Sequence, residues 1–213
     1  MSKVLTVSAT YGAGGSVIAP KLAERLHLPF YDRLTHGPDT RSAEKIEERL
    51  TDEERSQTPP GRLAVSLSHL SGALGIPVPG AGDLDPNTQL RQKVAESVWR
   101  VAETGGGLIL GRGAAAVLAA HPSTFHVRLD GPVERRIAQG AALEGVSEDI
   151  AEAHQQDTDK SWARFVQRLF DRDPADLRLY HLVIDSTALA LDDVVETVAS
   201  AATAFWERGI GCR

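Results

Sequence analysis

The sequence contains a single cysteine, Cys212, among its 213 residues. One cysteine cannot form an intramolecular disulfide, and it cannot supply the paired thiolates of a zinc site. Proteins of reducing compartments commonly lack disulfides, so the composition favours a cytoplasmic protein. The seven histidines show no metal-ligand spacing, and histidines without such spacing are ordinarily exposed or hydrogen-bonded within the fold.

Long apolar runs and an excess of basic charge are also missing. The first apolar run, residues 4–7, is far shorter than a signal peptide or the roughly 20 residues of a membrane helix. We therefore expect no membrane association. The formal net charge of −6 disfavours a general nucleic-acid binder, because basic side chains supply most of the affinity for a phosphate backbone. An acidic chain can still hold a local basic pocket for a small phosphorylated molecule.

What the sequence does contain is an alternation of short apolar segments with amphipathic ones. Hydrophobic residues make up 42% of the chain and charged residues 24%, as in ordinary soluble domains. Strands are predicted at 4–8, 28–32, 108–110, 125–129 and 182–184. Helices are predicted at 16–26, 41–57, 88–103, 114–120, 132–143, 147–156 and 192–206. Short strands that alternate with helices predict an α/β fold with a parallel sheet covered on both faces.

The length predicts one domain over residues 1–213, with a segment of different composition inside it. Residues 58–87 are interrupted by prolines and glycines, as in Pro59-Pro60-Gly61 and Pro79-Gly80. We interpret the wider segment 35–87 as a substrate-binding or mobile insert. Its apolar residues fit either a mobile lid or a contact with a second copy of the chain, so a homodimer stays open.

The first predicted strand runs directly into a glycine-rich turn. The residues Ala9-Thr10-Tyr11-Gly12-Ala13-Gly14-Gly15-Ser16 follow it, and an amphipathic helix comes next. Exposed backbone N–H groups at a helix N-terminus, together with the helix dipole, favour a bound anion such as phosphate.

Neither standard phosphate-binding fingerprint matches this turn strictly. The dinucleotide pattern G-x-G-x-x-G meets Val17 where its third glycine belongs, although Asp32 lies where a ribose-binding acid is expected. The P-loop pattern G-x-x-x-x-G-K-[ST] meets Ala9 instead of its first glycine and Gly15 instead of its lysine. On these residues alone, a nucleotide site and a plain strand–helix connection both stay open.

Several short motifs occur in one order along the chain. They are Tyr11-Gly12-Ala13-Gly14-Gly15-Ser16, Phe30-Tyr31-Asp32-Arg33, Gly111-Arg112-Gly113, Thr158-Asp159-Lys160 and Tyr180-His181-Leu182-Val183-Ile184-Asp185-Ser186-Thr187. Together, over about residues 4–198, they resemble the cytidylate kinase-like family, a branch of the P-loop nucleoside monophosphate kinases. The resemblance implies a P-loop NTPase fold, a three-layer α/β/α sandwich with a central, mostly parallel sheet and a helical lid and substrate-binding insert.

The resemblance also implies a function and roles for individual residues. The function is ATP-dependent phosphoryl transfer to a nucleoside monophosphate, with CMP or dCMP as the expected acceptor. The ATP phosphates would be wrapped by Gly12, Ala13, Gly14, Gly15 and Ser16, and the Ser16 hydroxyl would hold Mg²⁺. The candidates for a cation at the transferring phosphate are Arg112, Lys160 and Arg164.

The remaining motifs imply the other parts of a kinase site. Asp32 and Arg33 match the part that binds the monophosphate substrate. A lid-like segment is implied over residues 157–170, and it includes Asp157 and Asp159. The stretch Asp185-Ser186-Thr187 is interpreted as a cap for the last helix.

Departures from the family pattern leave other functions open. Ala9 stands where relatives usually have an arginine or another polar residue, and Trp162 stands where a lid arginine is expected. An arginine at a phosphoryl-transfer site can be worth roughly 10³–10⁵ in rate. A catalytically impaired nucleotide-binding or regulatory protein on the same fold is therefore one alternative. A nicotinamide-dependent oxidoreductase, favoured by Asp32 and opposed by Val17, is another.

Overall fold

A five-stranded parallel sheet forms the centre of the computed structural model, which describes residues 2–32 and 86–209. The strands are β1 (Lys3–Ala9), β2 (Phe30–Asp32), β3 (Gly106–Leu110), β4 (Thr124–Asp130) and β5 (Leu182–Asp185). Their order across the sheet is β2-β3-β1-β4-β5, and each neighbouring pair is parallel. The first strand of the chain therefore lies at the centre of the sheet, as the predicted parallel arrangement allows.

Helices connect these strands at the predicted places. Within the two described ranges they are α1 (Gly15–Arg25), α2 (Pro86–Glu103), α3 (Ala114–Val117), α4 (Val133–Glu144), α5 (Glu148–Phe170) and α6 (Leu191–Glu207), with a 3₁₀ turn at Leu177–Leu179. None of the described helices is long and apolar enough to cross a membrane. Apart from α5, the bounds agree with the sequence prediction to within a few residues.

Helix α5 is longer than the sequence predicted. The prediction of a helix that ends near Gln156 is wrong, because a single helix runs from Glu148 to Phe170. Its start is capped by Ser147, whose hydroxyl accepts a hydrogen bond from the N–H of Ile150. The polar residues 157–164 include no glycine or proline, so nothing there interrupts helical hydrogen bonding. The polarity of that stretch reflects exposed helix faces, and the lid role of residues 157–170 stays a prediction.

The chain divides into two compact units, residues 1–34 with 91–213, and residues 35–90. Nearly all of the described residues belong to the first unit. The predicted insert at 35–87, including the predicted helix at 41–57, lies outside the described residues except for its last two positions, at the start of α2. The predicted substrate-binding residue Arg33 lies outside them as well.

The main core lies between one face of the sheet and the helices α1 and α6. Alternate residues of a strand point to the same face, so β1 and β4 each present a row of apolar side chains there. The buried cluster includes Leu5, Val7, Ile18, Leu22, Val127, Leu129, Val194 and Val198. A strand face that packs on helices must be apolar, which explains why Phe125, Val127 and Leu129 alternate with polar residues along β4.

The opposite face of the sheet contains a buried polar pair. Thr6 and His126 are register partners on β1 and β4, and Thr6 Oγ1 lies 2.7 Å from His126 Nδ1. His126 Nε2 lies 3.3 Å from the carbonyl oxygen of Leu118, just after α3. A carbonyl can only accept, so Nε2 donates to it and Nδ1 accepts from the threonine hydroxyl. Helices therefore cover both faces, in the three-layer α/β/α arrangement that the sequence predicts.

The environment of His126 favours its neutral form. Burial, together with the neighbouring His181, lowers the pKa of His126 to about 4. The His181 ring stacks on it with a centroid separation of 5.2 Å. His181 Nδ1 accepts a hydrogen bond from the His126 backbone N–H at 3.0 Å, and burial lowers the pKa of His181 as well.

We expect His126 to make the stability of the protein depend on pH between about 6.5 and about 4. In that window the unfolded chain binds a proton that the buried imidazole does not, so the free energy of unfolding falls as the pH falls. The loss from this group amounts to about 3 kcal/mol by pH 4.

Urea denaturation across this pH range should show a free energy of unfolding that depends less steeply on pH in His126→Gln than in the wild type. His27→Asn, which replaces an exposed histidine, should keep the wild-type dependence. Equal slopes for His126→Gln and the wild type would contradict the prediction.

Candidate phosphate-binding site

The carboxyl ends of the strands meet at one edge of the sheet. Asp32 is the register partner of Leu110 on β2 and β3, and Asp130 is the partner of Asp185 on β4 and β5. The glycine-rich turn, residues 10–14, follows β1 between these two pairs of strands. Open parallel sheets bind ligands at this edge, so the turn lies where a ligand is expected.

Two glycines give the turn its shape. Gly12 and Gly14 both have a φ of 73°, in the left-handed region that side chains disfavour. Gly14 is the N-cap residue of α1. A Cβ atom on Gly12 would lie 1.9 Å from the carbonyl oxygen of Arg136. The turn therefore approaches the first turn of α4 more closely than any other residue type at position 12 would allow.

The turn presents unused backbone donors. In the described part of the chain, no backbone acceptor is bonded to the N–H groups of Gly12, Gly14, Gly15 and Ser16. The N–H of Ala13 donates to the carbonyl oxygen of Thr10 at 3.1 Å, so Ala13 shapes the turn. Four donors at the positive end of α1 are what a bound phosphate group requires.

The two departures from the P-loop pattern, at positions 9 and 15, are in contact with one another. A Cβ atom on Gly15 would lie 2.5 Å from the Cβ atom of Ala9. The position that would hold the P-loop lysine therefore has no room for a side chain in this loop conformation. A cation for the transferring phosphate has to come from elsewhere.

Three side chains hold the outer side of the turn by hydrogen bonds, and no sequence motif points to this role for any of them. They donate to three successive carbonyl oxygens: Arg136 Nη1 to Tyr11 at 2.8 Å, Gln139 Nε2 to Gly12 at 2.8 Å, and Ser186 Oγ to Ala13 at 2.7 Å. Because the carbonyl and N–H of one peptide group point in opposite directions, the held carbonyls of Tyr11 and Ala13 leave the N–H groups of Gly12 and Gly14 directed inward. These contacts join α4 and the segment after β5 to the turn.

The stretch Asp185-Ser186-Thr187 does not cap the last helix, so that prediction is wrong. Helix α6 begins at Leu191, and its N-cap, Ala190, makes no side-chain cap hydrogen bond. Asp185 instead accepts hydrogen bonds from the N–H and the hydroxyl of Thr187, which closes a local turn. The helix starts too far along the chain for these polar residues to reach it.

Asp130 ends β4 at the same edge of the sheet, and both of its carboxylate oxygens already accept hydrogen bonds. One carboxylate oxygen accepts from the Thr10 hydroxyl at 3.0 Å and from the Gly131 N–H at 2.9 Å. The other accepts from Arg128 Nε at 2.9 Å and Nη2 at 2.7 Å. Burial acts to raise the pKa of Asp130, but these hydrogen bonds outweigh it and hold the pKa below its usual range. Asp130 is therefore an anionic anchor for the start of the turn.

Ser16 is the remaining candidate for holding a magnesium ion. It lies in the first turn of α1, and it is exposed. Among the described residues, no group of three or more His, Cys, Asp or Glu side chains could hold a metal ion. Magnesium in kinase sites commonly keeps several waters and binds phosphate oxygens, so a single hydroxyl beside the turn fits such an ion.

Arg112 lies at the same sheet edge, in an unusual backbone conformation. It follows β3 and has a φ of 58°, between Gly111 and Gly113, whose φ values are also positive. An arginine in the left-handed region is disfavoured, and such residues cluster at functional sites. A Cβ atom on Gly113 would lie 2.6 Å from the Phe170 ring, so the end of α5 packs on this turn.

The other predicted charged residues lie on two different sides of α5. Asp157, Lys160 and Arg164 share one helix face by their spacing, and all three are exposed. Within the described ranges, neither Lys160 nor Arg164 forms an ion pair. Asp159 instead points to the turn, where it accepts a hydrogen bond from the Tyr11 N–H at 3.0 Å.

The tryptophan that replaces an expected lid arginine belongs to an aromatic row on α5. The Trp162 ring stacks on Phe165 with centroids 5.8 Å apart, and Phe165 meets Phe170 edge-on at 6.1 Å. Phe170 in turn packs on the turn that contains Arg112. Position 162 therefore contributes packing where a guanidinium was expected.

Comparison with known sequences gives a family and two named relatives. The model of the cytidylate kinase-like family matches residues 4–188. A cytidylate kinase of Ignicoccus hospitalis is 27% identical over 198 residues, which cover 92% of this chain and 96% of that protein. A cytidylate kinase of Methanopyrus kandleri is 29% identical over 134 residues, 59% of this chain and 66% of that protein. The match to the Methanopyrus protein thus spans just under two thirds of its length.

Solved structures give the fold. An uncharacterised protein from Eubacterium ventriosum aligns with a TM-score of 0.64 at 16% identity, over 94% of this chain and 98% of that one. A gluconokinase from Sinorhizobium meliloti aligns with a TM-score of 0.54 at 15% identity, over 97% and 95%. At these identities the likeness is one of fold alone. With the parallel sheet and the glycine turn, it confirms the predicted α/β P-loop fold.

A side chain added at Gly15 should destabilise the protein unless residue 9 is made smaller. In Gly15→Ala the new methyl group overlaps that of Ala9, so we expect the free energy of unfolding to fall by about 1–3 kcal/mol. The double variant Ala9→Gly/Gly15→Ala removes the overlap, and it should recover most of the loss apart from about 0.5–1 kcal/mol for a glycine in a strand. Urea denaturation of the wild type, both single variants and the double variant measures this coupling. If the double variant loses the sum of the stability losses of the two single variants, positions 9 and 15 are not in contact.

Proposed function

The chain belongs to the cytidylate kinase-like family, and on that premise we propose that it transfers the γ-phosphoryl group of ATP to a nucleoside monophosphate. CMP and dCMP are the proposed acceptors, since both named relatives are cytidylate kinases. Membership of this family argues against the oxidoreductase alternative. Phosphoryl transfer needs positioning and electrostatic stabilisation more than covalent chemistry from the protein, and the proposal rests on the groups that supply these two.

The observation that carries the proposal is the set of inward-facing N–H donors at the start of α1. Gly12, Gly14, Gly15 and Ser16 offer four such groups, and the helix dipole adds positive potential at the same place. The N–H groups of Gly12 and Gly14 are held through the carbonyls of Tyr11 and Ala13, and Gly15 and Ser16 belong to the first turn of α1. The donors therefore need no rearrangement when a phosphate binds. Magnesium, held through Ser16 and phosphate oxygens, would neutralise part of the charge on the transferring group.

The cation that the turn lacks is assigned to Arg112. It follows β3 at the sheet edge where ligands of this architecture bind, and its left-handed backbone is held between two glycines. A guanidinium there would meet two phosphate oxygens at once through its planar fork of N–H donors. Lys160 and Arg164 are the second choice. Both are exposed on α5, and α5 would have to rotate to bring their side chains to the phosphates.

One observation favours a different function on the same fold. The turn has no room for the P-loop lysine at position 15. At position 162, where a lid arginine is expected, Trp162 packs on Phe165. Two cations of a typical transfer site are therefore absent. A protein that binds a nucleotide without transferring its phosphate is the second candidate.

We expect ADP release when the protein is incubated with Mg·ATP and CMP or dCMP. Coupled assays run in parallel with CMP, dCMP, UMP or AMP measure both the activity and the choice of acceptor. The same reaction without an acceptor is the blank. ATP binding is measured separately by calorimetry. ATP binding without turnover of any acceptor would favour the second candidate function.

We expect Arg112→Ala to lower kcat by about 10³-fold, as for other arginines that act on a transferring phosphate. Arg112→Gly relieves the left-handed backbone strain and should lose as much activity, because the missing guanidinium is the cause. Arg100→Ala removes an exposed arginine from α2 and should leave kcat unchanged. Unchanged turnover in Arg112→Ala would exclude Arg112 as the source of the cation.

A further inference from the structure

The outer side of the glycine-rich turn forms a closed ring of hydrogen bonds with two charged side chains. The Tyr11 N–H donates to Asp159 Oδ1 at 3.0 Å. Arg136 Nη1 donates to the Tyr11 carbonyl oxygen at 2.8 Å and to Asp159 Oδ2 at 2.9 Å. Both backbone polar groups of Tyr11 are thus engaged by one ion pair, whose partners belong to α4 and α5.

We propose that Arg136 and Asp159 are positioning residues that set the conformation of the turn and couple it to α5. Where it concerns the reaction, this rests on the proposed function. The peptide groups on either side of Tyr11 cannot rotate without breaking the ring. Their orientation decides in turn where the N–H groups from Gly12 onward point.

The burial of the pair makes its two members act as one unit. Only 5% of the Arg136 side chain is exposed, and 22% of Asp159. Arg136 Nε also donates to the Gly131 carbonyl oxygen at 3.0 Å, and Asp130 Oδ1 lies 3.6 Å from the same nitrogen. The charged Arg136 side chain is stable at this buried position only with the Asp159 carboxylate beside it, because an unpaired buried charge is strongly unfavourable.

Asp159 has little capacity left for a nucleotide or a metal ion. Besides the Tyr11 N–H and Arg136, its carboxylate accepts a hydrogen bond from Gln155 Nε2, one turn earlier on α5, at 2.7 Å. Three donors therefore fix the carboxylate in place. This assigns Asp159 to the back of the turn, although the family resemblance implies a lid residue.

The same helix also packs on the second glycine turn, through Phe170 and Gly113. Helix α5 therefore contacts both turns that the proposed reaction needs, at Tyr11 and beside Arg112. Coupling of this kind is reciprocal: if the position of α5 favours phosphate binding, bound phosphate must favour that position of α5 to the same extent. Lys160, which is exposed, follows Asp159 in this helix. The Arg136–Asp159 ion pair therefore also limits the positions that the Lys160 ammonium group can reach.

The experiment measures amide hydrogen exchange by NMR in the wild type and in Asp159→Asn. An asparagine has one acceptor oxygen for two donors, so its NH₂ group would face either the Arg136 guanidinium or the Tyr11 N–H, and the ring cannot close. We expect the Tyr11 amide to exchange at least about tenfold faster relative to the Val7 amide of β1. Glu152→Gln makes the same charge change at an exposed position of α5 and should leave this ratio unchanged.

Affinity for the nucleotide gives the second readout. We expect Asp159→Asn and Arg136→Gln each to weaken Mg·ATP binding in calorimetry by about tenfold. The double variant should be no weaker than the worse single variant, because the two residues act as one unit. Bound Mg·ATP should slow amide exchange around residues 155–164 in the wild type and not in Asp159→Asn.

These outcomes separate the inference from the proposed kinase activity. If no acceptor is phosphorylated but the Tyr11 ratio and the ATP affinity change as expected, the positioning role stands and the kinase proposal falls. A Tyr11 ratio that does not change in Asp159→Asn, even with all amides exchanging faster together, would overturn the positioning role. Faster Tyr11 exchange with wild-type ATP affinity would overturn the coupling.

Discussion

The carbonyl oxygens on the outer side of the glycine-rich turn are the constraint on which the candidate site depends. Arg136, Gln139 and Ser186 hold the carbonyls of Tyr11, Gly12 and Ala13. Since a peptide group is planar, a held carbonyl also holds the N–H on its other side. The inner surface of the turn is therefore prepared before any ligand arrives. Such preorganisation is the form in which proteins supply most electrostatic stabilisation.

The charges around the turn are arranged to hold the chain, and they add little net positive charge for a phosphate. Arg128, Asp130, Arg136 and Asp159 form a series of alternating sign, with Arg128 and Asp130 2.7 Å apart and Arg136 and Asp159 2.9 Å apart. Each buried guanidinium in the series is compensated by a carboxylate, as burial requires. Attraction for a phosphate must then come from backbone dipoles and from a separate cation, which is the role proposed for Arg112.

Parts of the site were predictable from the sequence because their signals are local. The glycines that shape the turn, the strand before it and the helix after it all lie within one short stretch, and alternation of strands and helices predicted the parallel sheet. The roles of Arg136 and Ser186 were not predictable, because each contacts the turn from more than 120 residues away along the chain. The unbroken helix α5 was missed because its polar stretch resembles a loop, although it lacks the glycine or proline that would end a helix.

The sequence by itself determined the architecture, the position of the candidate phosphate site and the family. Strand periodicity and glycine placement are properties of neighbouring residues, and the order of the motifs is a property of the chain before it folds. Only the tertiary structure decided what lies behind the turn. It placed Asp159 on the Tyr11 N–H, Trp162 in an aromatic row and the Ala9 methyl group where a lysine side chain would begin. These outcomes depend on which helix faces meet which loop, and long-range packing sets that, so no local pattern in the chain encodes it.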